Sequence, residues 1–504
     1  MPGPSRVSAG ALSAPASTST ALRPASSQSC SPPCYNCRRR RLRCDRSRPT
    51  CRKCWVSGEE CLGYGTVLRW ANGPAIRGKL AGGRFGSPPP ITSPREPDEN
   101  EALVLHQTLL DPLLATLDKK SRHYIHHFAT AVCQDLVSVD QHDRNPFRTL
   151  VPLSGKFDFL EAIIVATGAM HMASLHGSRQ TYQPSRTELI DALVAKDKAI
   201  RLLRTTISDL MSRPENQAMV LAATVFLINV DLIDSGKGGW QAHIEAATAL
   251  MSSVHQLAQM MDPSLVTLVD AIAADCLTYR VLSAAISGVA LPPRAEKELV
   301  DLFSILKRAE PYSYHCCPPD ILRIILSASC LGDEGRIEAA LMLFQQARTF
   351  DVVNWVYSIR GLSPNDDLPV RVSIALAHRA TACLYVLLAV PEAATGSLSP
   401  DMLVEEVLNH LAGVPIDHVL LKGTVWPTFM AGAQTDNPKQ RQWCIERLEA
   451  VWARNPWICP WGYIRTAIEM LNRLWQARDS NPAGPEKTNW LQEVRSMRDK
   501  CLIV

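Results

Sequence analysis

Residues 34–61 read CYNCRRRRLRCDRSRPTCRKCWVSGEEC, and the spacing of the six cysteines decides how this stretch folds. They run Cys34-x2-Cys37-x6-Cys44-x6-Cys51-x2-Cys54-x6-Cys61, two copies of one Cys-x2-Cys-x6-Cys half. Zinc takes four soft ligands in a tetrahedron, and a Cys-x2-Cys turn aims two sulfurs at one ion. Two separate four-cysteine sites would need eight sulfurs. Six therefore imply two zinc ions that share ligands, with two sulfurs bridging. A segment of 28 residues this poor in apolar side chains has no core of its own, so metal binding supplies most of its folding free energy.

Charge is concentrated in the same place. From Cys34 to Cys54 nine basic residues (Arg38, Arg39, Arg40, Arg41, Arg43, Arg46, Arg48, Arg52, Lys53) stand against one acid, Asp45. The whole chain has 53 basic and 49 acidic residues, which leaves 44 against 48 outside this stretch. A polyanion is the natural partner of such a patch, and guanidinium forks suit both phosphate and the O6/N7 edge of guanine.

These residues resemble the fungal Zn2Cys6 binuclear-cluster transcription regulators over the whole of residues 34–61, including Pro49 two residues before the fourth cysteine. The resemblance implies that Cys34 and Cys51 bridge the two ions. It also implies a short helix that starts at the second cysteine and points its C-terminal end into the major groove to read a CGG triplet, with Arg40 and Arg41 as the base readers. Arg38, Arg43, Arg46 and Arg48 would contact phosphates, which position the module without specifying sequence. Double-stranded DNA is the implied partner and the nucleus the implied location.

The remaining chain belongs to another class. With 504 residues, 46% hydrophobic and 20% charged, it is long enough for one large or two medium globular domains besides the metal module. Ten further cysteines (Cys30, Cys133, Cys276, Cys316, Cys317, Cys330, Cys383, Cys444, Cys459, Cys501) show no metal-ligand spacing and read as free thiols of a reducing compartment. Residues 1–33, rich in Ser, Ala and Pro, read as a disordered tail without a secretory signal. Residues 62–102 read as a flexible linker rich in Gly and Pro. No sustained heptad follows the cluster, so a coiled-coil dimer is not expected, and a homodimer through the large domain stays open.

From residue 103 to 504 the punctuation is helical. Ser185-Arg186-Thr187-Glu188 has the form of a capping box. Behind it Leu189, Leu193, Ile200, Leu203, Ile207 and Leu210 make an apolar stripe interrupted by Lys196. Pro214 opens the next helix, through Ile233. Its apolar run from Ala218 is broken by Asn229 and Asp231 and falls short of the roughly 20 residues that span a bilayer, so no membrane partner is expected. A further helix starts at Trp240, and Asp262-Pro263, Ser399-Pro400 and Asn437-Pro438 each set an N-cap residue before a first-turn proline. At least ten helices in an all-α array or bundle are expected.

This region resembles the fungal-specific regulatory domain that accompanies the zinc cluster. The likeness is carried by Asn145-Pro146-Phe147 with Leu150-Val151-Pro152, Lys198-Ala199-Ile200 to Leu203, Trp240-Gln241-Ala242-His243, and Trp426-Pro427-Thr428-Phe429 with Ala431-Gly432-Ala433. With Trp70 soon after the cluster, the chain is similar to the acriflavine sensitivity control regulators. The fold class expected is thus a small two-zinc module of two short helix-loop halves plus a large all-α regulatory domain. A small-molecule effector or a co-regulator is a partner implied by resemblance alone.

Enzymatic chemistry finds no support. There is no His-Glu-x-x-His pair and no Gly-rich phosphate loop. Asp366-Asp367 lacks a third carboxylate and reads as a solvated loop. His123, His126 and His127 share a helical face without a carboxylate or thiolate in register. The competing reading is a helical interaction or scaffold protein whose basic zinc module serves nuclear import or non-specific nucleic-acid binding.

Overall fold

The computed structural model describes residues 33–47, 50–58, 61, 64, 117–176, 184–210, 213–257, 261–288, 302–332, 335–394, 399–453, 459–480, 489–497 and 500–504. Cys30, Arg48, Pro49, Trp70, the boundary at residue 103 and most of the tail and linker lie outside them. Two compact units divide at Glu96 and Pro97. The first carries two short helices, α1 (Tyr35–Arg39) and α2 (Arg52–Val56), one in each cysteine half.

The second unit is helical throughout its described residues. Its principal helices are α3 (Lys119–His127), α4 (Asp158–His176), α5 (Arg186–Leu210), α6 (Pro214–Asp234), α7 (Trp240–Leu257), α8 (Pro263–Ser287), α9 (Pro319–Ser329), α10 (Arg336–Thr349), α11 (Leu368–Ala389), α12 (Pro400–Ala412), α13 (Val425–Gln434), α14 (Pro438–Ala453), α15 (Gly462–Ser480) and α16 (Trp490–Ser496). The starts follow local chemistry. Asp262, Ser399 and Asn437 accept the N–H groups of Ser264, Asp401 and Lys439, each ahead of a proline that has no N–H to satisfy.

α6, α8 and α11 are apolar on nearly every face and form the centre. Chain neighbours pack on one another, α4 with α5, α6 with α7, α10 with α11 and α11 with α12. The bundle closes through long-range contacts of α15 with α6 and α16 with α8. Leu502 N–H donates to the Gly236 carbonyl at 2.8 Å and the Tyr463 hydroxyl to the Val504 carbonyl at 3.0 Å, which seats buried Leu502, Ile503 and Val504 in the same core. At Gly168 in α4 a Cβ would overlap the Tyr124 carbonyl oxygen, so glycine is what lets α3 lie this close.

The structure corrects four sequence-based expectations. The capping box is wired differently: the Ser185 hydroxyl bonds to the Glu188 carboxylate, while Ser185 N–H donates to the Ala173 carbonyl at 2.8 Å. The buried face of α5 is Ala192, Ala195, Ala199 and Leu203, whereas Leu193 is half exposed; small residues let α5 pack close to α4. The side chains of Ile207 and Leu210 lie outside the described residues. Lys196 does not merely interrupt a stripe, because its ammonium pairs with Asp231 of α6. Asp366 is no solvated residue: its carboxylate, 1% exposed, takes two hydrogen bonds from the wholly buried Arg371 at 3.0 and 2.6 Å. The partner lies five residues on, across the turn that Asp367 caps by accepting Val370 N–H.

A fifth correction concerns length. α6 runs 21 residues, and α4, α6 and α11 are long and apolar enough to cross a membrane by length and composition. In α6, 94% of that apolar window is buried inside the helical unit, where Asn229 accepts the Tyr279 hydroxyl at 3.0 Å.

Candidate metal centre and nucleic-acid interface

Each cysteine half begins with the same local device. Cys34 and Cys51 are the N-cap residues of α1 and α2, and their sulfurs accept the N–H of Cys37 and Cys54 at 3.4 Å. One sulfur thus both starts a helix and faces the second sulfur one turn on. The helix starts immediately after the first cysteine of the half, not at the second as the resemblance implies, and ends at Arg39.

The two halves meet sulfur to sulfur. Cys34 Sγ lies 3.6 Å from Cys51 Sγ and 3.7 Å from Cys54 Sγ, and Cys37 Sγ lies 3.7 Å from Cys51 Sγ. Cys34, Cys37, Cys51 and Cys54 are buried, with Cys44 and Cys61 packed at the margin. Cys44 adjoins the sulfurs of Cys37, Cys34 and Cys51, and Cys61 that of Cys54. Burial, with the neighbouring sulfurs of Cys51 and Cys34, pushes the Cys54 thiol up to about 12. At Cys44 burial also pushes upward, but backbone hydrogen bonds from Cys34 and Arg46 outweigh it and the thiol falls below its ordinary value. So many sulfurs in contact cannot ionise together without cations between them, and an all-thiolate donor set of this size fits two zinc ions. Among the described residues, every group with metal-ligand geometry draws on these sulfurs, and one of them sets Asp45 beside Cys44 and Cys51. His123 and His126 are exposed, and His127 faces His171.

A loop brace holds the halves together. Asp45 Oδ1 accepts Arg52 N–H at 2.9 Å, Oδ2 accepts the Ser47 hydroxyl at 2.6 Å, and the Tyr64 hydroxyl donates to the Ser47 carbonyl at 2.6 Å. The Ser47 hydroxyl, helped by the Arg52 N–H, holds the Asp45 carboxyl down at about 2.

The basic residues divide by backbone. Arg38, Arg39, Arg40, Arg41, Arg43 and Arg46 are all exposed. Arg40 is the C-cap of α1, and its N–H donates to the carbonyls of Arg38 and Asn36. Arg41 and Arg46 take left-handed backbone, with φ of 53° and 62°. In the second half the residues matching Arg38, Arg39, Arg40 and Arg41 are Trp55, Val56, Ser57 and Gly58. Trp55 and Val56 are 74% and 71% exposed. The halves therefore share a backbone and carry opposite chemistry.

Residues 32–71 match the Fungal Zn(2)-Cys(6) binuclear cluster domain, and residues 123–504 match the Fungal specific transcription factor domain. The chain belongs to the fungal Zn(2)-Cys(6) transcription factors. This transcription factor is 43% identical over 578 aligned residues to the Acriflavine sensitivity control protein acr-2 of Neurospora crassa, covering 94% of this chain and 96% of that protein. No solved structure matches it. Its cofactor is a pair of zinc ions on the cysteine cluster. Several stretches that carry the regulatory-domain likeness are core positions here: Trp240, Trp426 and Phe429 are buried, and Asn145 caps the turn at Pro146–Thr149.

Sequence reasoning missed Asp45 as a brace and the equivalence of Arg41 with Gly58. Laying one half over the other would have exposed the second. Nothing in the sequence signals the first, because the bond runs from the loop between the halves to the backbone of Arg52 in the second half.

Proposed function

We propose that this transcription factor reads CGG-containing DNA through the C-terminal end of α1, with Arg40 and Arg41 at base edges and Arg38, Arg43, Arg46 and Arg48 on phosphates. The observation that carries the reading is the left-handed Arg41, standing where the second half uses glycine. A side chain at such a φ costs about 1–2 kcal/mol, and strain of this kind is retained where a residue has work to do. The chemical asymmetry of the halves supports the same face, since the other half presents Trp55 and Val56 instead of guanidinium groups.

In this reading Cys34, Cys37, Cys44 and Cys51 hold one zinc, and Cys34, Cys51, Cys54 and Cys61 hold the other. Cys34 and Cys51 bridge, a reading supported by the 3.6 Å between their sulfurs. The protein acts in the nucleus. The role in the relative's name, control of acriflavine sensitivity, extends to this chain.

The test is site selection from random duplexes with the zinc-loaded protein, repeated with the Arg40→Ala/Arg41→Ala variant. Wild type should enrich CGG, and the number of triplets per selected site reports monomer or homodimer. The variant should lose about 1–3 kcal/mol of discrimination per contact while weakening less on random sequence. An equal loss on every duplex would instead favour a basic module used only for non-specific binding.

A further inference from the structure

The helical unit carries a half-open cavity of about 220 Å³ that none of the features above explains. On one side stand Ala131, Gln134 and Asp135, and His171 of α4; on the other, residues 416–419, Leu421 and Lys422 with Val451 and Cys459. Ala131 belongs to a π turn, Phe128–Val132, that continues α3. Single π turns inside α-helices recur at functional sites.

The polar groups of the wall are unequal. Asp135 Oδ2 lies 2.9 Å from His171 Nε2 and accepts Trp461 Nε1–H at 3.1 Å, while His171 Nδ1 lies 2.9 Å from His127 Nε2. That carboxylate is therefore already met by two donors. Asp417 stands exposed at the rim, where solvent screens it, and His418 faces Asp367 at 3.7 Å. Lys422 is different. Its ammonium donates to the Gln134 carbonyl at 3.0 Å, and among the described residues it forms no ion pair. An ammonium has three donors, so two remain for other partners, and the same cavity is lined by the apolar side chains of Leu175, Leu421 and Val451. Burial accordingly lowers the lysine's pKa, against the pull of Asp135. Lys422 is half-buried, and although Asp135 and Asp140 both pull on its charge, neither carboxylate pairs with it, which leaves the ammonium without a directly bonded anion.

We propose that this cavity binds a small organic carboxylate, its anionic end on the Lys422 ammonium and its apolar body against Leu175, Leu421 and Val451. The volume suits one ring or a short aliphatic chain, since a cavity of about 150 Å³ already holds benzene. The ligand class follows from the cavity and does not rest on the DNA reading.

Full-length zinc-loaded protein is titrated calorimetrically with benzoate, nicotinate and hexanoate, each beside its primary amide. Hydrogen exchange is followed in residues 131–135 and 416–422. At least one carboxylate should bind about tenfold tighter than its amide and protect both segments. Lys422→Met should abolish that preference and Lys422→Arg keep it, and the Arg40→Ala/Arg41→Ala protein, impaired in DNA reading, should still prefer the carboxylate to its amide. The proposal is overturned if no carboxylate outbinds its amide, or if Lys422→Met retains the preference. Should Lys422→Met fail to fold, the carboxylate-against-amide comparison on wild type decides by itself.

Discussion

Arg41 occupies in the first cysteine half the place that Gly58 occupies in the second, and both adopt left-handed backbone, at φ 53° and 68°. The N–H groups close the same turn, Arg41 onto the Arg38 carbonyl at 3.4 Å and Gly58 onto the Trp55 carbonyl at 3.2 Å. Glycine is the unstrained residue there, so Arg41 is held at a cost that folding alone does not require.

Replacing Arg41 by glycine separates folding from recognition. Arg41→Gly should keep both zinc ions and resist chelation as well as wild type or better, by about 1 kcal/mol, because left-handed strain is relieved. CGG discrimination should fall in the same protein. Zinc analysis beside competition binding reads both, and a variant that loses its metal would refute the strain argument.

Asp45 is the single acid among nine basic residues from Cys34 to Cys54, yet its bonds are to the Arg52 backbone and the Ser47 hydroxyl. It acts as a brace for the loop between Cys44 and Cys51. Asp45→Ala should weaken zinc retention by about tenfold, in the range of groups that orient ligands, and Asp45→Asn should preserve most of it. Zinc release to a colorimetric chelator measures the difference, and equal release from both variants counts against the brace.

Asp366 and Arg371 form the most deeply buried ion pair among the described residues. Asp366→Ala should destabilise the helical unit by about 3–5 kcal/mol, since it strands a buried guanidinium. Asp366→Leu combined with Arg371→Met should recover much of that loss. Urea unfolding compares them, and a single variant as stable as wild type would show that the pair is dispensable.

Asp275 in α8 is buried, and its Oδ2 has no hydrogen-bond partner. Burial raises its pKa well above the ordinary carboxylate value, so the folded value exceeds the unfolded one. Its contribution to stability is therefore full below the unfolded pKa near 4 and is lost as pH rises through the folded value. Asp275→Asn should flatten that decline and stabilise the helical unit at pH 8 relative to wild type. Denaturant midpoints at pH 5 and pH 8 provide the check; an unchanged pH slope contradicts it.

How much could be read in advance differs between the two units. The cysteine spacing needs only tetrahedral metal geometry, and the caps at Asp262, Ser399 and Asn437 need only the residue and its next two neighbours. Such signals are local and survive any tertiary context. The face of α5 was misread because periodicity counts large side chains, whereas close packing on α4 selects Ala192, Ala195 and Ala199. Asp366 looked solvated because an Asp-Asp pair before Leu-Pro gives no hint of the guanidinium that folds back over it.

The sequence by itself determined the metal, the number of ions, the basic charge beside them and the helical class of the rest, because each follows from residue type and spacing within one or two turns. Tertiary structure alone decided that Asp45 ties the halves, that Lys196 meets Asp231, and that Lys422, Asp135 and His171 wall one cavity. Those groups come from separate helices and loops, and packing of distant segments, to which no short-range pattern is sensitive, brings them together.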